Sequence, residues 1–252
     1  MLEMLTNDPA AFIDLALYRV PAVLIALVLH EFAHAYAAFK LGDMTARDHG
    51  RLTLNPLAHL DLMGTLLMVF AGFGWAKPVP IDLSHSQHPD RDDIIVSVAG
   101  VAVNFTLFII ITFALIQVDA RLWEKFVYEE STTFERLSYN GNILMPIMYG
   151  YADVFDRFYV NPSLVPVMRF LGHFSLINLS LALFNILPIP PLDGSHIITD
   201  ILMKNASYQL RRIVMGAGSA ALLILSFTGV LGRVIGWAAD AVQSGLLKMV
   251  GL

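Results

Sequence analysis

Four stretches of this chain, residues 20–39, 94–118, 170–189 and 213–231, stay almost wholly apolar over 19 to 25 residues. A helix needs about 20 such residues to cross roughly 30 Å of hydrocarbon. A spanning segment must also satisfy its backbone polar groups internally. Together these facts predict an all-α polytopic membrane protein. Composition agrees where it bears on the point: charged residues make up 15% of the chain, against about 25% in an average soluble domain. The net charge of −5 leaves no electrostatic footprint for nucleic acid. Without cysteine there is no disulfide and no thiolate, so any metal must be held by His, Asp or Glu.

The last of the four stretches carries small side chains from Gly216 to Ala221, which permit close helix packing. A fifth run, residues 62–76, holds Gly64, Gly72 and Gly74 and is short for a crossing, so it is expected to be re-entrant or shallow. Residues 143–151, with Pro146, are expected to be interfacial. In residues 233–252, Val234, Trp237, Ala238, Ala241, Val242 and Leu246 fall near helical spacing; this amphipathic segment lies on the membrane or extends the last span. Glu3, Asp8 and Asp14 stand where a signal peptide would carry positive charge, so the first span is expected to be retained. The expectation is one membrane domain over residues 1–252, with its core at 20–200 and an additional span plus amphipathic segment at 213–252. It has about four to six transmembrane helices and a short re-entrant or β-like element between the first two long spans.

Ionisable groups inside a span are costly and are functional candidates by default. The first span carries three, in the order His30-Glu31-Phe32-Ala33-His34. On a helix, residues i and i+4 share a face, so both imidazoles can bind one Zn²⁺. Glu31, turned by about 100°, can reach a metal-bound water as general base. The competing reading is a buried polar patch between helices, which is expensive in lipid without a metal. A catalytic zinc also needs a third protein ligand and an open position. Asp193 is the leading candidate, in Asn185-Ile186-Leu187-Pro188-Ile189-Pro190-Pro191-Leu192-Asp193-Gly194. Three prolines there end a helix and leave irregular backbone, tolerated at membrane depth only inside protein or beside a wet cavity. A plain helix-closing turn is the alternative. His196 is the rival ligand, or a partner of a ligand.

If residues 62–76 do not cross, the C-terminal ends of the first and third long spans lie on one side of the bilayer. One metal can then bind His30, His34 and Asp193. Basic residues from Lys40 to Arg91 and from Lys204 to Arg212 fall on that side, while Arg121, Lys125, Arg136, Arg157 and Arg169 fall on the other with the carboxylates from Asp119 to Asp156. The positive-inside rule therefore places the metal nearer the cytoplasm.

The H-E-x-x-H span, taken with the downstream N-x-x-P-x-P-x-L-D-G run, resembles the site-2 protease family of intramembrane zinc metalloproteases. Three further stretches are similar to its short prokaryotic members: Gly50-Arg51-Leu52-Thr53-Leu54-Asn55-Pro56, Gly72-Phe73-Gly74-Trp75-Ala76-Lys77-Pro78-Val79-Pro80 and Ala99-Gly100-Val101-Ala102-Val103-Asn104. One departure is Gly100-Val101, where the family usually has Gly-Pro. The resemblance covers about residues 20–200 and implies a zinc metalloendopeptidase with one Zn²⁺ per chain. It implies His30, His34 and Asp193 as ligands, Glu31 as base, and Asn185 as the residue that polarises or holds the scissile carbonyl. It also implies a multi-pass protein of the prokaryotic inner membrane, without the PDZ or CBS domains of larger members.

The implied substrate is a transmembrane helix of a membrane-anchored protein, whose carbonyls must be freed from intrahelical hydrogen bonds before attack. Residues 73–82 can hold an unwound segment by β-augmentation. Gly74, Trp75, Lys77 and Pro78, with Asn104, are the expected substrate-contacting residues; a structural loop is the alternative. Asn178 suits an interhelical hydrogen bond as well as a substrate contact. His173 is expected far from the metal, and His49, His59, His85 and His88 are expected to be solvated loop residues. A metal-ion transporter is the alternative from another class, but no inverted repeat is visible. A non-catalytic relative that binds membrane segments would be expected to lack one of the four key groups. Assembly as a homo-oligomer is left open.

Overall fold

The computed structural model describes residues 2–71, 74–118, 164–203 and 206–249. The stretches 143–151 and 119–156 read above lie outside the described residues, as do Gly72 and Phe73. The described regular structure is helical: α1 (Leu2–Asn7), α2 (Pro9–Lys40), α3 (Thr45–Asp48), α4 (Pro56–His59), α5 (Leu62–Ala71), α6 (Pro89–Val118), α7 (Val165–Asn185), α8 (Asp193–Leu202), α9 (Tyr208–Phe227) and α10 (Val230–Met249). Four are long and apolar enough to cross a membrane, over Pro9–Lys40, Pro89–Leu115, Val165–Asn185 and Gln209–Phe227. The chain is an all-α polytopic membrane protein.

The first span is longer than its apolar run. Asp8 accepts a hydrogen bond from the Ala11 amide (3.0 Å) and Pro9 opens the helix, two signals that start α2 well before Val20. The charge of Asp14 inside it is met by Arg169 of α7, whose guanidinium also lies 4.2 Å from the Tyr18 ring centroid. The third span is shorter than its run: α7 stops at Asn185, because Pro188, Pro190 and Pro191 cannot continue it.

The ten residues of α5 rise roughly 15 Å, about half the hydrocarbon thickness. At its base Leu60 forms an antiparallel bridge with Ala76, and the Lys77 amide donates to the His59 carbonyl (2.8 Å). The two ends of the segment therefore lie side by side. His59 departs from expectation: it is buried, and its Nε2 donates to the Thr53 carbonyl (2.8 Å), whereas His49, His85 and His88 are exposed.

α2, α6 and α7 pack on one another; α8 lies on α6, and α10 on α7. Phe108, Leu179 and Ala239 form the apolar centre of the α6–α7–α10 contact, flanked by Leu176, Val242 and Leu246. α9 packs on α10 and leaves its apolar stretch uncovered by the rest of the described chain, the surface a helix presents to lipid.

Candidate metal centre

His30 and His34 point from one face of α2 toward the start of α8. Their Nε2 atoms are 3.0 Å apart, and Asp193 Oδ2 lies 3.1 Å from His30 Nε2 and 3.4 Å from His34 Nε2. Asp193 reaches this point because Pro188 to Pro191 turn the chain back after α7, so that α8 opens on its carboxylate.

The protons on the two imidazoles can be placed from their partners. The Val96 carbonyl can only accept, so His34 Nδ1 donates to it (2.7 Å). For His30 the constraint comes from a longer chain of groups. Asn178 Nδ2 donates to the Phe174 carbonyl (2.7 Å), which turns its Oδ1 toward Asn104 Nδ2 (2.8 Å). Asn104 Oδ1 is then left to accept from His30 Nδ1 (2.6 Å). With both Nδ1 atoms carrying hydrogen, both neutral rings present a bare Nε2. Three lone-pair atoms then converge with no proton among them, and buried Asp193 Oδ2 has no hydrogen-bond partner. A cation resolves that arrangement. A tetrahedral zinc with bonds of about 2.0–2.1 Å holds its ligands about 3.3 Å apart, and the observed separations of 3.0 to 3.4 Å fit it.

Gly100 makes room for the centre. A Cβ there would lie 2.5 Å from His34 Nε2 and 2.7 Å from His30 Cε1. Val96, Gly100 and Asn104 follow at i, i+4 and i+8 on α6, so one helix face supplies the partner of each histidine and the gap between them. Gly194 plays the same part for α8, since its Cβ would stand 2.1 Å from the Ile186 carbonyl oxygen. The sequence marked Gly100 only as part of the family-like stretch 99–104 and gave Val96 no role; their four-residue spacing with Asn104 was the signal that could have linked them.

A cavity of about 560 Å³ opens beside the ligands, lined among others by Glu31, Asp193, Asp93, His196, Pro78 and Val79. Glu31 Oε2 accepts from the Val79 amide (3.2 Å). The segment that carries Val79 is clamped at both ends. Buried Arg51 donates from Nη2 to the Lys77 and Pro78 carbonyls, and Asp43 Oδ2 accepts from the Asp82 amide (2.8 Å).

The other residues singled out from sequence fall as follows. Of Gly74, Trp75, Lys77 and Pro78, only Pro78 lines this cavity; Trp75 and Lys77 are exposed, and Gly74 is half-buried beside them. Asn104 is completely buried behind His30. Asn185 is half-buried at the end of α7 and is not part of the cavity lining. His196 bonds Asp93 rather than joining the three-ligand cluster, and His173 stacks on Tyr18.

Residues 18–226 match the model of peptidase family M50, the site-2 protease family. The chain belongs to this family. The M50 chain is 33% identical over 233 residues to YwhC of Bacillus subtilis, covering 92% of this chain and 90% of that one. It is 31% identical over 111 residues to Rip2 of Mycolicibacterium smegmatis (42% of each chain). It is also 33% identical over 90 residues to sll0528 of Synechocystis (35% of this chain, 21% of that one). All three are named as zinc metalloproteases. No solved structure matches the chain significantly. This M50 protein is a membrane metalloprotease.

Proposed function

We propose that this M50 protease hydrolyses peptide bonds in or near transmembrane segments of membrane-anchored proteins. It uses one zinc ion held by His30, His34 and Asp193, on the cytoplasmic side of a prokaryotic inner membrane. The observation that carries the reading is the convergence of three bare ligand atoms at a cavity that Glu31 also lines. Zinc bound there would lower the pKa of a water toward about 7 and polarise the scissile carbonyl.

The chain's own residues account for the rest. Val96 and the Asn104–Asn178 pair fix both imidazoles with Nε2 inward, the orienting role that outer partners take at zinc sites. Asn104 acts on a ligand in this reading rather than on substrate. Glu31 takes a proton from the attacking water and delivers it to the leaving amine. For Asn185 to donate to the oxygen on which charge develops, the substrate must reach past the cavity lining to the end of α7. The clamped segment 77–82 runs beside Glu31, and an unwound substrate segment can lie against it, with Lys77 and Pro78 at its start and Gly74 and Trp75 just before it. Partners are then a transmembrane protein substrate and the lipid bilayer.

The test is zinc content and cleavage of a panel of single-span model substrates by detergent-solubilised protein. Wild type is expected to hold one zinc and cut, Glu31→Gln to hold zinc and cut at least 100-fold more slowly, and Asp193→Ala to lose zinc. Cleavage by Glu31→Gln at the wild-type rate would overturn the mechanism.

A further inference from the structure

The cavity beside the metal ligands holds a second pair of titratable groups for which the scheme above has no use. His196 follows Asp193 by one turn of α8, and Asp93 lies in the first turns of α6; both line the cavity. His196 Nδ1 is 2.7 Å from Asp93 Oδ2, and the side chains are 40% and 29% exposed. With the carboxylate accepting from Nδ1, the neutral ring carries its lone pair on Nε2. This is the arrangement by which a carboxylate orients a histidine to take a proton and stabilises the resulting imidazolium. Asp90 and Asp93 from α6, Glu31 and His34 from α2, and Asp193 from α8 itself line the same cavity. The 78–84 segment adds no charged side chain to the lining.

Peptide hydrolysis near neutral pH moves two protons, both from the attacking water, because the products are a carboxylate and an ammonium. Glu31 carries one at a time. It takes the first as the water attacks and gives it to the nitrogen. The second stays on the hydroxyl of the tetrahedral adduct and must leave as the C–N bond breaks. We infer that His196 is a second proton-handling residue. Its Nε2 accepts that hydroxyl proton while Asp93 stabilises the imidazolium, and the proton then passes to the departing amine, completing the ammonium. This inference rests on the hydrolase reading above.

The experiment uses the full-length, zinc-loaded enzyme in detergent, with a single-span substrate that wild type cuts and Glu31→Gln does not. A failure of the hydrolase reading would then already show in the wild-type reaction. His196→Asn is expected to keep its zinc and a near-wild-type KM, with kcat down about 100-fold or more. Free imidazole, at a concentration that leaves zinc content unchanged, is expected to restore much of kcat to His196→Ala. Asp93→Asn keeps an acceptor but removes the charge, and its kcat should fall less, about tenfold. Wild-type kcat in His196→Asn would overturn the inference. So would loss of zinc in step with activity and no rescue by imidazole, which would reduce the pair to a clamp between α6 and α8.

Discussion

Replacing Gly100 by alanine adds one carbon at the most crowded point of the centre. That carbon would sit 2.5 Å from His34 Nε2, so the nitrogen must retreat about 0.9 Å to reach an ordinary 3.4 Å contact. The imidazole cannot turn away cheaply, because its Nδ1 is held by the Val96 carbonyl. Nor can α6 back away without stretching the bonds at Val96 and Asn104, one turn to either side of the glycine. Zinc–ligand distances tolerate only about ±0.2 Å. Losing an orienting partner costs 10–100-fold in metal affinity, and displacing a coordinating atom should cost at least the upper figure. The expected result for Gly100→Ala is zinc affinity reduced about 100-fold or more, roughly 2.7 kcal/mol, measured by competition with a chelator. Gly216→Ala is the matched control, since a Cβ there meets nothing within 4 Å. It should bind zinc normally and gain slightly in helix stability. Wild-type zinc affinity in Gly100→Ala would refute the geometry on which this site is built.

Three further outcomes follow from the same structure. Asn104→Leu should lower zinc affinity 10–100-fold, and Asn178→Leu by less; Asn104→Asp, which still accepts from His30 Nδ1, should retain most of it, all read by chelator competition. Gly194→Ala drives a carbon against the Ile186 carbonyl and displaces Asp193, so zinc affinity should fall more than tenfold, whereas Gly236→Ala, with open space around it, should be silent. Arg51→Ala removes charged hydrogen bonds to the 77–78 backbone, worth about 2–3 kcal/mol together. It should expose residues 77–82 to limited proteolysis and lower kcat/KM while leaving zinc content unchanged.

Much of the centre was legible because its signals are local. The i, i+4 spacing puts His30 and His34 on one face whatever else the chain does, and three prolines within four residues announce the break that delivers Asp193. That residues 62–76 are too short to cross as a helix was legible from length alone, and α5 covers only ten of them. What escaped notice depends on distant partners. Residues 9–19 carry the charge of Asp14 into the first span, and the group that meets it, Arg169, lies 155 residues away. Asn104 looked like a substrate contact until the third helix showed where both of its polar ends go. Gly100 could be understood only with two imidazoles beside it, and His59 looks like a loop residue until the Thr53 carbonyl is seen to hold it.

The coordinating atoms come from chain positions about 160 residues apart, and the groups that orient them belong to two further helices. A chain whose later spans have not yet entered the bilayer has two histidines and no site. The cluster is complete only once the last contributor, Asp193, is in place. Order of insertion is therefore itself a control on when the three ligand atoms can meet.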